Sequence, residues 1–413
     1  MPDTPVLDLD FVRGHFPLLA KNDFVYADNA AGTLVPRSVA GRMAAFMTEC
    51  QVQPNNPYPA SELASARLTE AKRLMAEMIN ASPEEVVFGH STTNNVYVLS
   101  HALRPLMREG DEVIVTNLDH EANNGAWRRL AETGITVKEW RLRPETGDLM
   151  IEDLDALLTE RTRLVCVTHC SNVTGTVNDI AVIARRVHDA GALICADGVA
   201  YGPHGRIDVK ALDVDIYLCS LYKIYGPHHA LMYVRRDLML KAKGQNHFFI
   251  GEDMIPAKLN VGGHDYEVVA SATGIADYFD ALHDHHFPGS NLDFHGRLGQ
   301  VYGLFAAQEE RLNAPMIDFL GSRPDIRVLG RLEKSRTTRA PTFCFAVEGR
   351  DPAEIAAALG REGIGTTAGH FYAYRIIEAL GHLDAGGVVR ISLVHYNTEE
   401  DARRVAETLD RIL

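Results

Sequence analysis

From Glu84 onward, short β-branched runs alternate with segments whose apolar residues recur at helical spacing. EVVFG, DEVIVTN, ITVKEWRL, RLVCVTH, ALICADG, DIYLCS and ALMYV read as seven strands. Between them, NVYVLSHALRPLM, NNGAWRRLAE and DIAVIARRVHDAG read as amphipathic helices. That alternation predicts βαβ units and an α/β fold, a mostly parallel seven-stranded sheet flanked by helices. After about residue 290 the pattern changes to a long helix, LDFHGRLGQVYGLFAAQEERLNAPMIDFLG, then TFCFAVEG and GVVRISLVHY as strands. DPAEIAAALGREG between those strands and the closing TEEDARRVAETLDRIL read as helices, so a small α+β domain is expected. Two helical patterns near the start, RSVAGRMAAFMTE and ASELASARLTEAKRLMAEMI, are expected to pack against it. The expected organisation is a helical segment over 1–80, a large α/β domain over 81–290 and the small domain over 291–413.

Composition narrows the function classes. Over 413 residues, 46% are hydrophobic and 23% charged, which is ordinary globular composition. The formal net charge of −14 argues against nucleic acid or an anionic membrane surface as partner. None of the six cysteines forms a CxxC pair, and four fall in apolar strand-like runs. In one strand Cys166 and Cys170 would stand about 13 Å apart, too far to bond. Reduced core thiols fit a cytoplasmic chain. The start, MPDTPVLDLDF, is acidic where a signal peptide is basic, and no apolar stretch approaches the ~18 residues of a membrane span.

In a parallel sheet, ligands bind beyond the carboxyl ends of the strands, and five such ends carry polar groups. GHSTTNN places Ser91, Thr92 and Thr93 between a strand and a helix, which is either an anion site or an ordinary N-cap. NLDHEANNGAW supplies His120, and THCSNVTGT supplies Asn172 in a glycine-containing turn. ICADGVAYG ends a buried run on Asp197, a costly place for a carboxylate unless it faces a cation. LCSLYKIYGPHHALMYV carries Ser220 and Lys223 in an apolar setting that lowers an amine's pKa. Each signal alone has a plain structural reading. Together they match the needs of pyridoxal 5'-phosphate (PLP): an amine for its aldehyde, an acid for its pyridinium nitrogen, a phosphate cradle and a stacking group.

The chain resembles fold-type I PLP enzymes of the class V aminotransferase group, nearest the cysteine desulfurase-like branch. The likeness runs from YADNAAGTLVP to RISLVHYNTEEDARRVAETL and is most specific from Asp197 through IDVKALDVDIYLCSLYKIYGP. It implies that Lys223 carries the cofactor, Asp197 meets the pyridinium nitrogen and His120 stacks on the ring. It further implies that Asn172 contacts the 3-hydroxyl and that Ser91, Thr92, Thr93 and Ser220 hold phosphate. Arg390 would clamp the substrate carboxylate, with Asn29, His370 and Tyr372 beside the substrate. A homodimer with shared active sites is implied, NVGGHDYE resembling the loop that reaches a neighbour's phosphate.

The departures matter as much. Desulfurases carry a sulfur-accepting Cys in the loop that corresponds to TTAGHFYAYR, and Tyr372 stands there. A phenol cannot accept sulfur as a thiolate does. Ala200 replaces a usual Gln, Tyr222 the His before the lysine, and Gly263 a phosphate-binding Thr, leaving only its backbone N–H. His228, His229 and the HDHH run at 283–286 lack a ligand framework in sequence, so no metal is expected, HDHH being read as a solvated helix end. The expected reaction is Cα deprotonation of an amino acid followed by β-elimination at a sulfur-bearing side chain. An aminotransferase or epimerase is the alternative, and a catalytically silent binding protein a third reading.

Overall fold

The computed structural model describes residues 5–21, 24–333, 335 and 337–413. Its strands, in chain order, are β1 (Val25–Tyr26), β2 (Val86–Gly89), β3 (Glu112–Thr116), β4 (Thr136–Trp140), β5 (Thr162–Thr168) and β6 (Leu193–Asp197). They continue with β7 (Ile216–Ser220), β8 (Ala230–Val234), β9 (Ile326–Leu329), β10 (Thr342–Val347), β11 (Ile364–Gly365), β12 (Thr367–Gly369) and β13 (Val388–Ser392). The large sheet has the order β2-β8-β7-β6-β5-β3-β4 and uses the seven strands read from the sequence. Neighbours from β7 to β4 are parallel, while β8 runs antiparallel to both β7 and β2.

Both faces of this sheet are buried, so its strands read as nearly continuous apolar runs. Val165, Val167, Ile194 and Ala196 point into one core, and Leu164, Cys166 and Cys195 into the other. The chain order reverses between β3 and β5, and the crevice at the carboxyl ends of the neighbouring strands is where such folds bind ligands. The small sheet, β12-β13-β10-β9, is antiparallel throughout and packs with the closing helix Glu399–Ile412. Thr398 and Asp401 form the capping box that starts that helix.

The amino-terminal helices sit elsewhere than expected. Arg37–Glu49 and Pro59–Met78 pack chiefly on the helices Tyr266–Ser271 and Thr273–His286, within the core under the large sheet. The approach is close: a Cβ on Gly274 would come within 2.5 Å of the Val39 backbone, and the Ser38 hydroxyl donates to the Gly274 carbonyl at 2.7 Å. The segment that does reach the small sheet is β1 with the residues after it: β1 pairs in parallel with β11, and Asp28 bridges to Ser392 of β13. The helix Phe294–Ser322 serves both bodies. Phe294, Leu298, Val301 and Phe305 enter the large core, and Leu312, Met316 and Leu320 the small one.

The HDHH run ends the helix Thr273–His286 as read, with Asp284 and His285 exposed, but it is not solvated throughout. His283 is buried and hydrogen-bonded to Gln300 at 2.9 Å, and His285 and His286 hold Asp8 through its carboxylate and backbone N–H. All six cysteines are buried and free. Among the described residues, no helix is long and apolar enough to cross a membrane.

Candidate active site

Four strand ends and one helix start converge on a cavity of about 530 Å³. Ser91, Thr92, Thr93, His120, Asn172, Asp197, Ser220 and Lys223, singled out in the sequence, all line it. Ser91 caps the helix Thr92–Leu103 by accepting the Asn94 N–H at 3.1 Å. The Thr92 hydroxyl lies 2.8 Å from that of Ser220, at the end of β7. Hydroxyls paired at a helix start, with its unpaired backbone N–H groups, form an anion cradle.

Asp197 closes β6, where its Oδ1 accepts the Val199 N–H at 2.9 Å. Burial pushes its carboxyl up to about 6, so the group is still an anion at neutral pH. Lys223 follows β7 in a short 3-10 turn, and among the described residues no ion pair holds its Nζ. Burial first, then the Arg390 charge, lowers its amine to about 8. His120 lies beyond β3, its Nδ1 accepting the Ala122 N–H at 3.0 Å, which leaves any proton of the neutral ring on Nε2. Burial, with Lys223 and Arg390 nearby, lowers it to about 3, so it presents a neutral face. Behind it sits buried Asp119, raised by burial to about 7 and hydrogen-bonded to Thr116 and Asn123.

A second cavity of about 960 Å³ adjoins the first and shares His120, Asn172, Tyr222 and Lys223 with it. Arg390, on β13, is 2% exposed and held from three directions. Its Nη2 pairs with Asp28 at 3.1 Å, its Nη1 donates to the Asn172 carbonyl at 3.3 Å, and its guanidinium lies 4.1 Å from the Phe371 ring centre. Its Nε is buried without a partner. Asn172 in turn donates to the Phe371 carbonyl at 3.1 Å. Phe371 and Tyr372 both adopt left-handed backbone, with φ of 52° and 55°. His370 and Tyr372 line this cavity as expected, Tyr372 largely exposed.

Two predicted positions lie elsewhere. Asn29 faces away from both cavities: its amide donates to the carbonyls of Ser392 (2.8 Å) and Tyr26 (3.1 Å), and its oxygen accepts from Tyr396. A saturated, buried Asn tethers the wall instead of touching substrate, and its neighbours Asp28, Ala30 and Ala31 form that wall. Gly263 stands on an exposed turn with φ of 90° and lines neither cavity of the single chain. Sequence reasoning also missed Asp28 and Phe371, which only β1 and the 366–372 turn bring to Arg390. It missed Cys170, a lining residue of the first cavity whose thiol burial raises to about 12.

The donor set fits PLP. A buried amine without an ion-pair partner, a buried carboxylate, a neutral imidazole and a hydroxyl-lined helix start are the groups that cofactor needs. Fold and site together define a fold-type I PLP-dependent enzyme. The family model of aminotransferase class-V matches residues 25–259 and 303–405, and the chain belongs to that family. It is 35% identical to the aminotransferase-like protein FGM3 of Gibberella zeae, over 98% of each chain. It is 33% identical to the cysteine desulfurase-like protein ustD of Aspergillus flavus, over 99% of this chain and 91% of that one. A cysteine desulfurase of Pectobacterium atrosepticum is 30% identical over 98% of both. A cysteine desulfurase structure from Thermococcus onnurineus NA1 superposes with a TM-score of 0.84 over 98% of both chains at 22% identity, a likeness of fold. Members of the family generally depend on PLP, act on amino acids and commonly dimerise.

Proposed function

We propose that the protein is a C–S lyase that eliminates a sulfur leaving group from the β-carbon of an amino acid. The observation that carries this reading is the absence of a usable acceptor thiol. Among the described residues no cysteine lines the cavity that holds Arg390, and Cys170 in the adjoining one is buried and kept protonated. A thiol raised to about 12 offers almost no thiolate at neutral pH. Sulfur would therefore leave to solvent and not to the protein. The names of the desulfurase relatives support a sulfur-bearing substrate.

PLP, when bound, supplies a sink for the electron pair left at Cα. The chain's own groups do the rest. Arg390 receives the substrate carboxylate, a role that its planar donors suit. Lys223 Nζ takes the Cα proton, and its lowered pKa makes the neutral amine accessible near pH 8. Asp197, still an anion at neutral pH, would hold the ring nitrogen, and His120 would pack on the ring. The Cα–H and Cβ–S bonds break, and water completes the balance: RS–CH2–CH(NH3+)–COO− + H2O gives RSH, pyruvate and NH4+. We further infer a cytoplasmic homodimer in which the 260–267 segment completes the partner's phosphate site.

The test is a panel of cysteine, cystine and S-alkyl cysteines given to the holoenzyme. Elimination releases pyruvate in equal amount with hydrogen sulfide from cysteine, cysteine persulfide from cystine, or the alkyl thiol from S-alkyl cysteines. Absence of both from every substrate overturns the proposal. Conversion of the cofactor to its amine form, reversed by a keto acid, would replace it with transamination. Exchange of the Cα proton with solvent and no product would replace it with epimerisation.

A further inference from the structure

His90, His229 and Asp265 come from three distant segments and meet beside the cofactor cavity. One ligand atom from each lies within 4.8 Å of the others. His90 follows β2 and directly precedes the phosphate-cradle residue Ser91. His229 directly precedes β8, closing the turn that begins with Lys223. Asp265 leads into the helix Tyr266–Ser271. His90 Nδ1 already lies 3.1 Å from an Asp265 carboxylate oxygen.

His229 is the decisive member. It is 2% exposed, and its Nε2 is buried with no hydrogen-bond partner. A buried polar nitrogen left unpaired costs free energy comparable to a lost hydrogen bond. Phe88 lies along its ring at a centroid distance of 6.2 Å and the His90 ring stands edge-on at 5.9 Å, so the rings converge. Burial lowers its pKa to about 4, against the raising effect of Asp265, which keeps the imidazole neutral, as a ligand must be.

We propose that His90, His229 and Asp265 form a binding site for one borderline divalent cation of the Zn²⁺ class. Two imidazoles and a carboxylate are ligands for such ions, whereas Mg²⁺ and Ca²⁺ prefer oxygen-only sets. Zinc bonds of about 2.0–2.2 Å require these atoms to draw together, and the side chains of His90 and Asp265 are half-exposed. The fourth position is open to water. The ion would staple the phosphate turn to the lysine turn, whichever reaction the enzyme performs.

The experiment titrates chelator-treated holoenzyme with Zn²⁺ alone, reading stoichiometry by elemental analysis and affinity by competition with a metal indicator. We expect one ion per chain, bound at least tenfold more weakly by His90→Ala and Asp265→Asn, whose exposed positions spare the fold. His229→Gln should abolish the site, and X-ray absorption should report two imidazole nitrogens. No binding overturns the proposal, as does undiminished binding in His90→Ala and Asp265→Asn. Thermal protection by inorganic phosphate that Zn²⁺ does not reproduce overturns it in favour of an anion site.

Discussion

Asp197 and Arg390 are both buried charges, one in the wall of each cavity, and the protein holds them by different means. Asp197 ends a strand inside a sheet covered on both faces, anchored by the Val199 N–H, with no cation at ion-pair distance among the described residues. Its environment is rigid, and its charge is uncomfortable until a positive ring nitrogen arrives. Arg390 is instead tied to Asp28, to the Asn172 carbonyl and to the face of Phe371, groups contributed by three separate loops. One of those loops runs through two consecutive left-handed residues. In the proposed mechanism, cofactor chemistry would thus rest on the strand ends of one sheet, and substrate recognition on a rim assembled from three loops.

The sharpest way to break the platform is Lys223→Ala. Loss of the proton acceptor should cut turnover by more than about 10³-fold, and borohydride reduction followed by mass spectrometry should find no cofactor adduct on the variant. Asp197→Asn should lower kcat by roughly 10²–10³-fold, since a preorganised charge is removed. The same variant should be more stable without cofactor. Burial raises Asp197 from an ordinary value near ~4 to about 6, so its penalty is absent in acid and grows as pH rises through that window. At pH 7 the cofactor-free variant should gain about 2–3 kcal/mol over the parent in urea unfolding, falling to roughly 0.5 kcal/mol at pH 4 and vanishing in stronger acid.

The rim should answer more mildly. Arg390→Lys keeps the charge and loses the forked donors, so kcat/KM should fall roughly 10- to 100-fold, chiefly through KM. The smallest effect is expected at Tyr372→Gly. Relief of a left-handed backbone should stabilise the protein by about 1 kcal/mol in urea unfolding. An unchanged kcat/KM in Arg390→Lys would erase the distinction between the two cavities.

The same distinction explains what the sequence made legible. Lys223, Asp197, His120 and the Ser91–Thr93 turn could be read because each follows a strand whose apolar run is unmistakable, and strand ends of a parallel sheet point one way. Asn29 misled because a segment near substrate does not reveal which of its side chains faces in; Asp28 does and Asn29 does not. Phe371 was invisible because its contact with Arg390 depends on left-handed backbone that neither aromatic residue favours. The helices Arg37–Glu49 and Pro59–Met78 were readable as helices, but an amphipathic stripe does not name its partner. His90, His229 and Asp265 are separated by more than a hundred residues at one step, and no spacing rule brings them together.

The pairing of β1 with β11 involves only Val25 with Ile364 and Tyr26 with Gly365. Those two rungs nonetheless fasten the strap that ends on Asp28, the counter-charge of Arg390. Replacing Asp28 by Ala would leave both rungs in place and unlatch the guanidinium.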